Sequence, residues 1–102
     1  MDVSINKKII ETLKPFSPNR IGVFGSYSRN EMTQESDIDI LYNFQKRISL
    51  FDLVGLKLEL EDILHRKVDL VSEKSVDKYI KPFILKDLKI IFQKWQRTTV
   101  FT

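Results

Sequence analysis

DIDILYNF, residues 37 to 44, alternates without a break: Ile38, Ile40, Tyr42 and Phe44 fall on one side of an extended chain, and Asp37, Asp39, Leu41 and Asn43 on the other. A period of two is met by a strand, so this segment commits the chain to a sheet with one face turned to a core. It also sets two carboxylates two residues apart and pointing the same way, where they can share a divalent metal. Upstream, RIGVFGS (20 to 26) is rich in branched and aromatic residues and runs into a glycine turn, a second strand signal. The small hydroxyl of Ser26 beside Gly25 can meet phosphate oxygens. Together the turn and the acidic strand point to chemistry on a nucleotide triphosphate.

The rest of the chain alternates helical and extended signals without a linker or internal repeat. Ile5, Ile9, Ile10 and Leu13 recur at helical spacing and stop before Pro15, which predicts a helix over 3–14. Residues 27–35 are polar, with room for one helical turn. From Ser49 to Leu64 the chain is dense in leucine and places Phe51, Val54 and Leu58, or Leu53, Leu56, Leu60 and Ile63, at helical intervals, with a cap at Ser49 or Asp52 and a break near His65. KVDLV (67 to 71) reads as a compact buried strand with Asp69 facing away from Val68 and Leu70. Ser75 is a candidate cap for a helix carrying Val76, Ile80, Phe83, Ile84 and Leu88, which Pro82 either starts or splits. KIIFQKW (89 to 95) is an edge strand or a helical continuation. The succession of helices and strands gives a small α/β (α+β) domain.

With 102 residues there is room for one domain and one modest core, so a bulky substrate has to be shaped by a partner. No cysteine is present, which removes disulfides and thiolate metal sites, and the single His65 leaves too few nitrogen ligands for zinc. The opening MDVSINKKIIETLK has an early acid and no uninterrupted apolar stretch, and no segment approaches membrane-spanning length, so the expectation is a cytoplasmic protein without a secretory signal. Net charge is +3, with 17 Lys and Arg against 14 Asp and Glu, which separates no function class by itself. Its distribution says more. Lys74 to Arg97 holds seven bases and two acids, while Glu31 to Asp39 holds four acids and no base.

Singly, each motif has an ordinary structural reading. Gly25 at a strand end is a turn residue with permissive φ, and acids alternating with isoleucine describe any half-exposed strand. Asp69 changes the balance, because an ionised carboxylate inside an apolar strand is costly unless paired or metal-bound. If the 37–44 and 67–71 strands are neighbours, three acids share one face and can hold one or two Mg2+ through oxygen.

GSYSRNEMTQESDIDILYNF followed by KVDLV resembles the minimal nucleotidyltransferase family of the DNA polymerase beta superfamily, whose pattern is a Gly-Ser turn, an Arg-Gly pair, a D-x-D strand and a later single Asp. The likeness spans residues 1–94, leaving 95–102 as a tail, and implies a single nucleotidyltransferase domain with a mixed central sheet flanked by helices. It implies that Gly25 and Ser26 contact the triphosphate, that Arg29 binds phosphate oxygens, and that Asp37, Asp39 and Asp69 carry catalysis and ligate Mg2+, with ATP as substrate. Asp69, on a separate strand, is the natural proton acceptor for the attacking hydroxyl. Two positions depart from the pattern. Asn30 stands where the family has glycine, a change that tolerance of positive φ softens; Ser28 replaces a more usual alanine, a harmless change.

Members this small resemble antitoxins of two-gene modules whose partner is a HEPN ribonuclease toxin. The resemblance then implies transfer of AMP from ATP to a tyrosine hydroxyl of that toxin in a hetero-oligomer, with no membrane and no direct nucleic-acid binding. The ribonuclease's own Arg-then-His signature is not formed around His65, which reads as a helix-end residue. Two other classes stay open: an antitoxin that masks its toxin by contact alone, and a nucleotidyltransferase acting on a small molecule or an RNA end. The retained carboxylates weigh against the first and the lack of a further domain against the second. The base choice and the number of nucleotides added are not encoded in any recognisable motif.

Overall fold

The computed structural model describes residues 2–94. The proposed aromatic tail from Trp95 to Phe101 lies outside the described residues. Helix α1 (Val3–Leu13) leads through a 3-10 turn into β1 (Pro18–Phe24), the short α2 (Gly25–Ser28), β2 (Ile38–Phe44), α3 (Leu50–Leu64), β3 (Val68–Ser72), α4 (Lys81–Asp87) and β4 (Lys89–Gln93). The strands form one mixed sheet in the order β3-β2-β1-β4. β1 is antiparallel to both β2 and β4, whereas β2 and β3 are parallel through the α3 crossover.

The core lies on one face of the sheet. Ile38, Ile40, Tyr42 and Phe44 of β2 and Ile21 and Val23 of β1 pack with Ile9 and Leu13 of α1 and with Leu56, Leu60 and Leu64 of α3. Alternation along β2 thus sends its apolar side where the sequence predicts. Leu41, on the opposite side, is also buried. There α4 covers the sheet, and Leu41, Ile84 and Leu88 help line a cleft of about 460 Å3. Gly22 makes this second layer possible, because a Cβ at that position would press on the Leu88 side chain.

Local chemistry explains most boundaries. Asp2 caps α1 by accepting from the Ser4 and Ile5 amides, and Ser49 caps α3 by accepting from the Asp52 amide. His65 closes α3 in the left-handed region, a helix-end residue as expected. β1 starts at Pro18, a strand position that loses no needed donor, and ends before the glycine turn. No helix begins at Ser75: residues 73–75 form a 3-10 turn, and α4 starts at Lys81 with Pro82 in its first turn, where a missing amide costs nothing. Residues 89–93 are strand, bonded to β1 along one edge. Among the described residues no helix is long and apolar enough to cross a membrane.

Candidate active site

Strand register builds the site. Phe24, the last residue of β1, pairs with Asp39, so the chain leaving β1 passes directly over the Asp39 carboxylate. Only glycine fits there. Gly25 has φ +72°, and a Cβ on it would overlap Asp39 Oδ2. The Gly-Ser turn and the D-x-D strand, separate in sequence, are therefore in contact.

On the other side of β2, Asp39 pairs in register with Asp69 of β3, one strand spacing away. Asp37 lies just before β2, in a loop that the Arg66 guanidinium pins by donating to the carbonyls of Thr33 (2.6 Å) and Ser36 (3.3 Å). Strand pairing begins where the Ile38 amide donates to the Lys67 carbonyl. The three predicted acids are thus brought to one end of the parallel pair.

Their environments differ from expectation in one respect. Asp69 is exposed on an edge strand, not enclosed in an apolar one, so the desolvation cost expected for it falls on Asp39 instead. Burial, then the charges of Asp69 and Asp37, raise the Asp39 pKa to about 6, with Arg29 pulling weakly the other way. Among the described residues no three acid or histidine side chains close around a ready-made ion cage. The donor set itself, three carboxylates of which one is raised in pKa by burial and by the charges of the other two, fits a hard divalent cation.

Arg29 is not free to wait for phosphate. Its Nη1 donates to Asp87 Oδ2 at 2.5 Å, and its Nε reaches Glu31 Oε2 at 3.4 Å. Ser28, which the sequence offers as harmless, is fully buried, and its hydroxyl donates to the Asp87 carbonyl. Lys89 Nζ donates to the Ser28 carbonyl at 2.8 Å. The α4–β4 junction therefore grips α2 at three points. Sequence reading missed Asp87, Lys89 and Arg66, since each acts on residues more than 29 positions away and none sits in a motif. Asn30 takes φ +60°, the left-handed conformation glycine would supply.

The cleft under α4 shares the sheet face of Asp39, with Leu41 two residues along β2, but the carboxylates lie outside it. Asp37 and Asp69 stand on open surface. Among the described residues nothing covers either carboxylate.

Residues 7–97 match the polymerase beta nucleotidyltransferase family. A Methanocaldococcus jannaschii chain to which protein adenylyltransferase activity is ascribed is 45% identical over 83 residues, covering 81% of this chain and 89% of the relative. The protein adenylyltransferase MntA of Thermococcus cleftensis is 38% identical over 78 residues, covering 76% and 79%. Among solved structures, a toxin–antitoxin complex with AMP-PNP superposes with a TM-score of 0.79 at 26% identity, covering 87% of this chain and 73% of the other. A tri-AMPylated Shewanella oneidensis HEPN toxin in complex with an MNT antitoxin gives 0.75 at 25%, covering 92% and 74%. With the Gly-Ser turn seated on the acidic strand and the match running almost end to end, the chain belongs to the polymerase beta nucleotidyltransferase family.

Proposed function

We propose that this chain is an antitoxin-type protein adenylyltransferase, which transfers AMP from ATP to a tyrosine hydroxyl of a HEPN ribonuclease toxin. The observation that carries the reading is the contact between Gly25 and Asp39, with Asp69 in register beside them. Relatives that bear the adenylyltransferase name, and neighbours that are toxin–antitoxin complexes, support the choice of acceptor. The reading places the chain in the cytoplasm, where ATP is available.

Asp37, Asp39 and Asp69 would hold Mg2+. When bound, Mg2+ neutralises phosphate charge and stabilises departing pyrophosphate. The chain's own groups do the rest. The Gly25 backbone and the Ser26 hydroxyl hold the triphosphate, whose approach the missing Cβ at residue 25 keeps open. Arg29, steadied by Asp87, presents its remaining N–H groups to phosphate oxygens. Asp69, exposed on its strand, accepts the proton of the attacking tyrosine as that oxygen bonds the α-phosphorus and pyrophosphate leaves.

The test combines the purified chain, labelled ATP, Mg2+ and the HEPN protein encoded beside it. Label should appear on the HEPN protein and vanish in the Asp37→Ala, Asp39→Ala double variant. If that variant neutralises the toxin fully and no label is ever transferred, masking by contact replaces catalysis.

A further inference from the structure

Helix α3 carries two apolar faces, and only one is used inside the fold. Leu56, Leu60 and Leu64 are buried, while Leu50, Phe51, Val54 and Leu58 remain 77%, 88%, 50% and 59% exposed. With Gly55 they line a hollow of about 540 Å3 along the outer side of the helix. Gly55 is the informative residue. A mid-helix glycine is destabilising relative to alanine, yet a Cβ there would meet nothing within 4 Å. No packing within the described fold asks for it. Its bare backbone leaves room for a close approach from outside.

Leu50, Val54 and Leu58 form one ridge at intervals of four, and Phe51, Gly55 and Glu59 the next, so the shape between them is the groove that takes a ridge of another helix. One flank is acidic. Asp52, Glu59 and Asp62 are exposed at positions −3, +4 and +7 from Gly55, and Lys57 is the only base on α3. We propose that this face docks an amphipathic helix of the acceptor protein, its apolar stripe over Gly55 and its basic flank along Asp52, Glu59 and Asp62. A second copy fits poorly, because it would set carboxylates near carboxylates. The parallel crossover makes α3 run back along β2, so the exposed stripe on its first half lies towards the strand ends opposite Asp39 and Asp69. A partner held there leaves the carboxylates clear.

The identity of the partner rests on the function proposed above, so the experiment separates the two. Affinity for the HEPN protein is measured by calorimetry without nucleotide, beside thermal stability and ATP binding, for the wild type, Gly55→Ala, Gly55→Leu and the triple charge reversal Asp52→Lys, Glu59→Lys, Asp62→Lys. We expect Gly55→Ala to raise Tm while weakening the complex, Gly55→Leu to weaken it at least tenfold, and the triple variant to weaken it and flatten its salt dependence, all with ATP binding unchanged. Unaltered affinity in Gly55→Leu overturns the docking face, even where AMP transfer proceeds. A wild-type dimer that Gly55→Leu splits while HEPN affinity stays the same also overturns it and makes the face a self-contact. Affinity that falls as expected, with no label ever transferred, supports the docking face and removes the adenylyltransferase instead.

Discussion

At Gly25 a single methyl group separates a working turn from a broken one. Gly25→Ala meets both a φ of +72° and the Asp39 carboxylate, so transfer should fall by at least a hundredfold, read as labelled AMP on the partner, with a stability loss of about 1–2 kcal/mol. The Asp39 carboxyl makes a second prediction. Its pKa of about 6 in the fold lies above the ordinary 3.8, so between those values the folded chain binds more protons than the unfolded one. Stability without metal should therefore fall as pH rises from about 4 to 6 and stay lower above that range. Asp39→Asn should flatten this slope, and Mg2+ at neutral pH should raise the Tm of the wild type but not of Asp39→Asn, by scanning calorimetry. That Asp37, Asp39 and Asp69 come together was legible because alternation puts them on one face once their strands are neighbours; the role of Ser28 was not, because its buried partner is a backbone carbonyl 59 residues away.

Among the elements, α4 and β4 do more than cover the sheet. Their junction at Asp87 fixes Arg29, so Asp87→Asn should raise KM for ATP roughly tenfold with little change in Tm, since Ser28 keeps its bond to the residue's carbonyl. A separate brace ties the start of the 3-10 turn after β3 to the sheet: Glu73 accepts from Arg20 and, at 2.8 Å, from Asn43. The bond from Arg20 lowers the Glu73 pKa, and Asn43 assists. That contribution is complete above the ordinary glutamate range and is lost as pH falls through the depressed value. Glu73→Gln should thus cost about 1–2 kcal/mol at neutral pH and reduce the loss of stability in acid, followed by urea midpoints. Periodicity found α1 and α3 because each buries a regular apolar stripe, and on α3 it offered two alternative apolar sets without deciding which is inward. The start of α4 escaped it. Val76 and Ile80 fit a helical spacing, but Asp77 turns the chain, accepting from the Ile80 and Lys81 amides before the helix begins.

For the molecule as a whole, nucleotide binding should depend on metal, since three carboxylates at one end of β2 and β3 repel a triphosphate. Calorimetry with ATP should show at least tenfold weaker binding in EDTA, and comparable binding with and without Mg2+ would remove the carboxylates from the site. The α/β class followed from the order of elements and the mixed sheet from the family resemblance, but the strand pairing followed from neither, because nothing local tells β1 that its second neighbour is β4. That pairing has a consequence for synthesis. Arg20 meets Gln93, and Arg29 meets Asp87, so the first strand waits for residues about 60 to 70 positions later before either its edge or its arginine is secured. A ribosome must release residues 87 to 93 before the first strand is fully secured. Nascent chains halted short of residue 87 will lack the Arg29 anchor, and the loop after β1 will hold its arginine only once that residue has emerged.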